Sequence, residues 1–208
     1  MSRDRNERTE IAILARAPVP GQAKTRLIPV LGERGAAVLQ ARLIERTVQM
    51  AVAVGPVTLW ATPDASHVSF ANAAARHGVV LAAQPAGDLG QRIFAALSAA
   101  QGSCLAIGTD CPGLDAEHLY TCADILRAGA DAVVIPVEDG GYALIGTRQP
   151  QPLLFTDMPW GTDQVMDATR ERMNELGLTW REPFRLWDLD VPADLDRLRR
   201  ERMGYLLA

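Results

Sequence analysis

At 208 residues the chain has the length of one substantial domain, and 48% apolar against 22% charged residues is the balance of a sequence that buries a core. A formal net charge of −4, without a helix-length stripe of Lys and Arg, argues against a nucleic-acid partner but leaves room for a nucleotide, which needs only two or three cations. No stretch approaches the roughly 18 apolar residues of a membrane span, Met1 to Thr9 are polar and mixed in charge, and Cys104, Cys111 and Cys122 form no C-x-x-C motif. The expectation is a soluble, cytoplasmic protein with reduced thiols and no membrane partner, with a disordered tail over 1–9 ahead of a domain over 10–208.

Along the chain, strand-like and helix-like segments alternate. Residues 11–15 form a short, continuously apolar run, as a strand buried on both faces should. A loop over 16–30 follows, carrying Pro18, Pro20 and Pro29. Between 32 and 53, Ala37, Ala41, Ile44, Val48 and Ala51 recur at steps of four and three and so share one helical face. Strands are predicted at 57–61, 79–83, 104–108 and 132–137, with helices near 64–77, 89–101 and 116–128. Asp139-Gly140 then signals a tight turn into an antiparallel strand at 142–147. A helix near 162–176, a strand near 179–186 and a last helix with Pro192 at its first position complete the chain; Val191 before it is a poor cap. The pattern predicts an α/β single domain, a mostly parallel mixed sheet with helices on both faces.

Four constellations carry chemistry. Ligands of open α/β sheets bind beyond the carboxyl ends of strands, so Lys24 and Arg26, in the loop after the first strand, are placed to meet a phosphate there. That loop is not a P-loop, since Ala23 stands where G-x-x-x-x-G-K-[ST] requires glycine; two solvated surface cations explain the same residues. Asp110 ends an apolar strand, where a hard oxygen ligand suits Mg²⁺ or Mn²⁺, or where an Asp simply forms a turn. Glu138-Asp139-Gly140-Gly141-Tyr142 sets two carboxylates before paired glycines, so a ligand can approach the backbone and a carboxylate can take a proton from an acceptor hydroxyl; a plain hairpin also fits. Asp188 and Asp190 offer a second metal oxygen, or a negative entry to a helix N-terminus. Zinc-ligand His spacing, G-x-S-x-G and G-x-G-x-x-G after the first strand are all absent from the sequence.

Taken in order, Ile13 to Gly21 through Lys24-Thr25-Arg26-Leu27, Gly87-Asp88-Leu89-Gly90-Gln91-Arg92, Gly108-Thr109-Asp110-Cys111-Pro112, Glu138 to Tyr142 with Leu144-Ile145-Gly146, Pro159-Trp160-Gly161-Thr162, and Asp188-Leu189-Asp190-Val191-Pro192-Ala193-Asp194-Leu195 make a specific set. The chain thereby resembles, over about residues 10–200, the GT-A-type glycosyltransferases labelled radical-SAM/selenodomain-associated or arsenosugar-biosynthesis transferases. The resemblance implies a Rossmann-like, nucleotide-diphospho-sugar transferase fold related to nucleotidylyltransferases. Ala15, Arg16, Pro20, Gly21, Lys24, Arg26 and Thr109 would then cradle the nucleotide and its phosphates. Asp110 would lead the metal ligands with Asp188 or Asp190 second; from the carboxylates before the paired glycines, Asp139 is the expected catalytic base. Asp88, Leu89, Gly90 and Arg92 would form a lip of a donor-sugar or acceptor pocket lined by Gly140, Gly141, Tyr142, Trp160, Gly161 and Thr162. Two departures stand out: Val191 replaces a usual Thr, and no second acid follows Asp110 two residues on, so the D-x-D signature is missing. The expected reaction is metal-assisted sugar transfer from a nucleotide-sugar to a small-molecule acceptor. The alternatives are nucleotidyl transfer from a nucleoside triphosphate, and a non-catalytic nucleotide-binding subunit.

Overall fold

The computed structural model describes residues 8–207. Seven strands, β1 (Glu10–Arg16), β2 (Val57–Thr62), β3 (Val80–Ala83), β4 (Cys104–Ile107), β5 (Ala132–Pro136), β6 (Tyr142–Thr147) and β7 (Trp180–Arg181), pair in the order β3-β2-β1-β4-β6-β5-β7. Among them β6 alone runs antiparallel to its neighbours, inserted between β4 and β5 by the turn at Asp139-Gly140. Among the described residues six α-helices accompany them: α1 (Ile28–Val52), α2 (Val68–His77), α3 (Leu89–Ser98), α4 (Ala116–Arg127), α5 (Val165–Glu175) and α6 (Pro192–Arg200).

Strand alternation sorts the core into two layers. Ile11 and Ile13 of β1, Leu105 and Ile107 of β4, and Val133 and Ile135 of β5 pack against Ile44 and Val48 of α1, Phe70 of α2 and Leu119 and Leu126 of α4. The intervening Ala12, Ala106 and Val134 face α3 and α5 through Ile93, Leu97, Met166 and Met173. A third cluster joins Leu39 and Leu43 of α1 to Trp187, Leu189, Leu195 and Leu198, which ties α6 and the segment before it to the sheet layer.

Some boundaries differ from the periodicity, each for a local reason. α1 begins at Ile28, with Pro29 in its first turn where the missing N–H costs nothing, and Gly32 (φ 70°, ψ 166°) interrupts the helical path at the expected start. α2 begins at Val68 rather than near Asp64, because the Asp64 carboxylate holds the Ser66 N–H (2.8 Å) and His67 Nδ1 caps the helix by accepting from Ser69 N–H (3.2 Å). The strand expected over 179–186 shrinks to Trp180–Arg181 plus a bridge between Val137 and Leu186, since Pro183 cannot donate to a ladder. Val191 lacks a capping oxygen, but the Asp194 carboxylate accepts from the N–H groups of Asp190 (2.9 Å) and Val191 (2.7 Å) and satisfies the start of α6 in its place. Of the tail expected over 1–9, residues 1–7 lie outside the described residues; Thr9 is buried, its hydroxyl 2.9 Å from that of Ser103.

Candidate active site

Beyond the carboxyl ends of β1 and β4 lies a cleft of about 660 Å³, where a doubly wound sheet binds its ligands. Its wall is built from the loop after β1, the start of α3, residues 106–111 at the end of β4, the β5–β6 turn, the loop before α5, and Asp188 and Asp190. Local chemistry explains how these segments are held.

Lys24 adopts the left-handed region (φ 48°, ψ 46°), uncommon for a residue with a Cβ, and this turns its side chain inward until only 5% of it is exposed. Its ammonium donates to the Leu189 carbonyl (2.6 Å) and lies 2.7 Å from Asp110 Oδ1, while the Leu189 N–H returns a bond to the Asp110 carbonyl (2.8 Å). One buried cation thus joins the loop after β1, the end of β4 and the segment before α6. Burying an ammonium demands such partners. Arg26 pairs with Asp190 nearer the surface. The two residues expected to await phosphates therefore meet carboxylates of the chain itself, and the cleft cations without a carboxylate partner among the described residues are Arg16 and Arg92.

Asp188 is half-buried. That burial, with the negative charges of Asp139 and Asp190 beside it, pushes its carboxyl up to about 6, against a backbone hydrogen bond and the Lys24 charge. Asp139 is exposed, and its Oδ1 accepts the Gly141 N–H (3.0 Å). Among the described residues no three His, Cys, Asp or Glu side chains converge to cage a metal. Mg²⁺ carried with a phosphate ligand needs only one or two protein carboxylates, and a cation relieves the charge crowding seen at Asp188. The donor set therefore fits a partial site centred on Asp188, with Asp110 and Asp190 each keeping one carboxylate oxygen on a cation of the chain, Lys24 and Arg26.

Also in the cleft wall, the Tyr142 ring meets Trp160 edge to face, centroids 6.3 Å apart, and burial drives the phenol pKa up. Arg92 Nε and Trp160 Nε1 are buried without a hydrogen-bond partner. Thr109 is buried, its hydroxyl taking the Gln40 amide (3.2 Å), and the Ala15 carbonyl accepts from Gln84 Nε2 (3.3 Å).

Of the residues singled out from sequence, Ala15, Arg16, Lys24, Arg26, Leu89, Arg92, Thr109, Asp110, Asp139, Gly141, Tyr142, Trp160, Gly161, Thr162, Asp188 and Asp190 line this one cleft. Pro20, Gly21, Asp88, Gly90 and Gly140 do not, and three have clear structural work. Asp88 caps α3 by accepting from Gln91 N–H (2.8 Å). Gly90 lets α3 pack on the neighbouring loop, since a Cβ there would stand 2.8 Å from the Trp160 ring. Gly140 (φ 93°) sets the β5–β6 turn against α5, where a Cβ would overlap the Asp163 carbonyl. Thr62, Gln84 and Asp163 also line the cleft and were not anticipated, since no motif marks them; Gln22, within the first motif, lines it too and had been given no role.

Residues 44–162 match a family described as "Uncharacterized protein conserved in bacteria (DUF2064)". No curated protein matches the chain in sequence. Among solved structures, a candidate nucleotide-diphospho-sugar transferase from Desulfovibrio desulfuricans G20 is 27% identical over 93% of this chain and 87% of its own, with a TM-score of 0.84. CMP:2-keto-3-deoxy-manno-octonic acid synthetase complexed with CTP is 12% identical over 95% of this chain and 99% of its own, at 0.60. Glucosyl-3-phosphoglycerate synthase from Mycobacterium tuberculosis, in complex with Mn²⁺, UDP and glucosyl-3-phosphoglycerate, is 12% identical over 96% and 78%, at 0.54. The last two likenesses are of fold alone. The chain belongs to the bacterial family DUF2064, and its architecture is that of the nucleotide-diphospho-sugar transferases.

Proposed function

We propose that this protein is a cytosolic transferase that binds a nucleotide-diphospho-sugar and moves the sugar to a hydroxyl of a small-molecule acceptor, assisted by Mg²⁺ or Mn²⁺. The observation that carries this reading is the charge pattern of the cleft, where Asp110, Asp139, Asp188 and Asp190 share one wall system with Arg16, Lys24, Arg26 and Arg92. A diphosphate is the ligand chemistry that uses both signs, its oxygens on guanidinium groups and its counter-ion on carboxylates. When bound, the cation would be held by Asp188 with Asp139 or Asp190 and would neutralise charge on the departing diphosphate.

The chain's own residues do the rest. Arg16 and Arg92 bind phosphate or acceptor oxygens through guanidinium groups that no carboxylate of the described chain occupies. Lys24 holds the loop after β1 in place and sets a fixed positive charge at the cleft wall, where preorganised charge lowers a barrier most effectively. Where Asp190 completes the cation's site, Asp139 keeps one oxygen on Gly141 and has the other to take the acceptor's proton. Tyr142 and Trp160 exclude water from that side. The narrower resemblance to the arsenosugar-type transferases rests on the six ordered motifs.

A second reading is nucleotidyl transfer, in which a phosphorylated substrate attacks the α-phosphorus of a nucleoside triphosphate and expels pyrophosphate. It is favoured by the missing D-x-D and by the likeness in fold to the CTP-bound synthetase. Product analysis separates them: nucleoside diphosphate supports sugar transfer, pyrophosphate supports nucleotidyl transfer, and binding without turnover under any acceptor points to a non-catalytic subunit.

A further inference from the structure

We infer that Arg197, on α6 and outside the cleft, is a positioning residue that fixes the spacing between Asp139 and Asp188. The inference rests on the proposed binding of a metal-bearing donor.

All three guanidinium nitrogens of Arg197 are engaged. Nη1 and Nη2 grip the two oxygens of Glu138 (2.7 and 3.0 Å), and Nε donates to Glu201 Oε1 (3.0 Å). The guanidinium also stacks over the Trp187 ring, 4.7 Å from its centroid, and Trp187 Nε1 donates to the other oxygen of Glu201 (3.1 Å). Glu138 immediately precedes Asp139, and Trp187 immediately precedes Asp188. One rigid planar group therefore holds the residue before each acid.

The mechanical need is evident from the charges. Asp139 and Asp188 repel one another across the cleft wall. The backbone of the turn is closed by Val137 N–H to the Gly141 carbonyl (3.0 Å), Gly140 N–H to the Val137 carbonyl (3.3 Å) and Gly141 N–H to Asp139, and α5 anchors it through Met166 N–H to the Gly140 carbonyl (2.8 Å), but among the described residues the exposed Glu138-Asp139 step has no tie to the segment that carries Asp188 other than Arg197. Trp187, by contrast, is buried among Leu189, Leu195 and Leu198 and does not move easily. Arg197 transmits that fixity to the turn. An ion pair as exposed as Glu138–Arg197 adds little to global stability, so its geometry matters more than its energy. Lysine could not replace it, because a point charge lacks the fork that meets Glu138 and Glu201 together.

The test compares wild type with Arg197→Met, which keeps an aliphatic stem over Trp187, and with Arg197→Lys. Two readouts are used: the tightening of UDP, CDP, ADP or GDP binding by Mn²⁺, with bound Mn²⁺ followed by electron paramagnetic resonance, and metal-free amide hydrogen exchange at Val137 and Gly141. The Mn²⁺-dependent tightening should fall by about tenfold or more in Arg197→Met, as for residues that orient metal ligands. Metal-free nucleotide affinity and melting temperature should stay near wild type, the two amides should exchange faster, and Arg197→Lys should lie between. An Arg197→Met protein that keeps the full Mn²⁺ effect, or that loses metal-free affinity and melting temperature in parallel, overturns the inference. A wild type showing no Mn²⁺ effect overturns the donor reading instead, and the amide exchange then decides whether Arg197 restrains the turn.

Discussion

Lys24→Met separates a lysine that waits for phosphate from one that holds the site together. In the structure its ammonium, 5% exposed, donates to the Leu189 carbonyl and pairs with Asp110, whose side chain is 56% exposed. Removing a charged donor from a buried carbonyl costs about 1.5–3 kcal/mol. The ion pair adds no more than about 1 kcal/mol, because solvent screens the Asp110 side. The expected loss is about 2–3 kcal/mol in urea unfolding, which for a chain of this size lowers the melting temperature by roughly 5–10 °C. A second arm uses the backbone: at φ 48° glycine is unstrained, so Lys24→Gly should be more stable than Lys24→Ala by about 1 kcal/mol. A ligand-free Lys24→Met protein melting within about 1 °C of wild type would refute the buried latch, since a solvated phosphate-binding lysine leaves no such mark.

Three further outcomes follow from the same geometry. Asp188→Asn should raise ligand-free stability at neutral pH by on the order of 1 kcal/mol once screening is allowed for, because it removes a charge that burial and two neighbouring carboxylates oppose; the same variant should lose Mn²⁺-dependent nucleotide binding, and a less stable variant would contradict the crowding. Gly140→Ala should destabilise the turn by about 1–3 kcal/mol, since both its φ of 93° and the Asp163 carbonyl reject a Cβ; unchanged denaturant midpoints would refute this. Burial pushes the thiols of Cys104, Cys111 and Cys122 up to about 12, so at pH 8 they stay protonated in the native protein and should resist iodoacetamide until urea is added. Mass spectrometry showing Cys111 alkylated at the rate of a free thiol would contradict its burial.

Much of the frame was legible because period and turn chemistry are local. The apolar run of β1, the four-and-three spacing in α1 and the Asp-Gly turn ahead of β6 each declare themselves within a few residues. Sheet order does not, since nothing in the sequence of β6 says that it enters between β4 and β5. The candidate site divides the same way. Motifs brought Asp110, Asp139, Asp188, Arg16 and Arg92 to one cleft, but which charges would consume one another was invisible, because Lys24 meets Asp110 and Leu189 only through the fold. Gln84 and Thr62 were missed because a lone amide or hydroxyl after a strand carries no distinctive pattern. Asp88, Gly90 and Gly140 belong to the motifs yet act on the backbone, capping α3 or allowing close packing.

The central claim, a nucleotide-diphosphate donor carried with a divalent cation, is tested most directly by thermal denaturation of the wild-type protein against nucleotides and nucleotide-sugars, with and without Mg²⁺ or Mn²⁺. A ligand at a hundred times its dissociation constant adds about 2.7 kcal/mol, so at least one nucleotide-sugar with metal should raise the melting temperature by roughly 5–10 °C, and by less without it. A melting temperature that no nucleotide or nucleotide-sugar shifts, under either metal, would contradict the account.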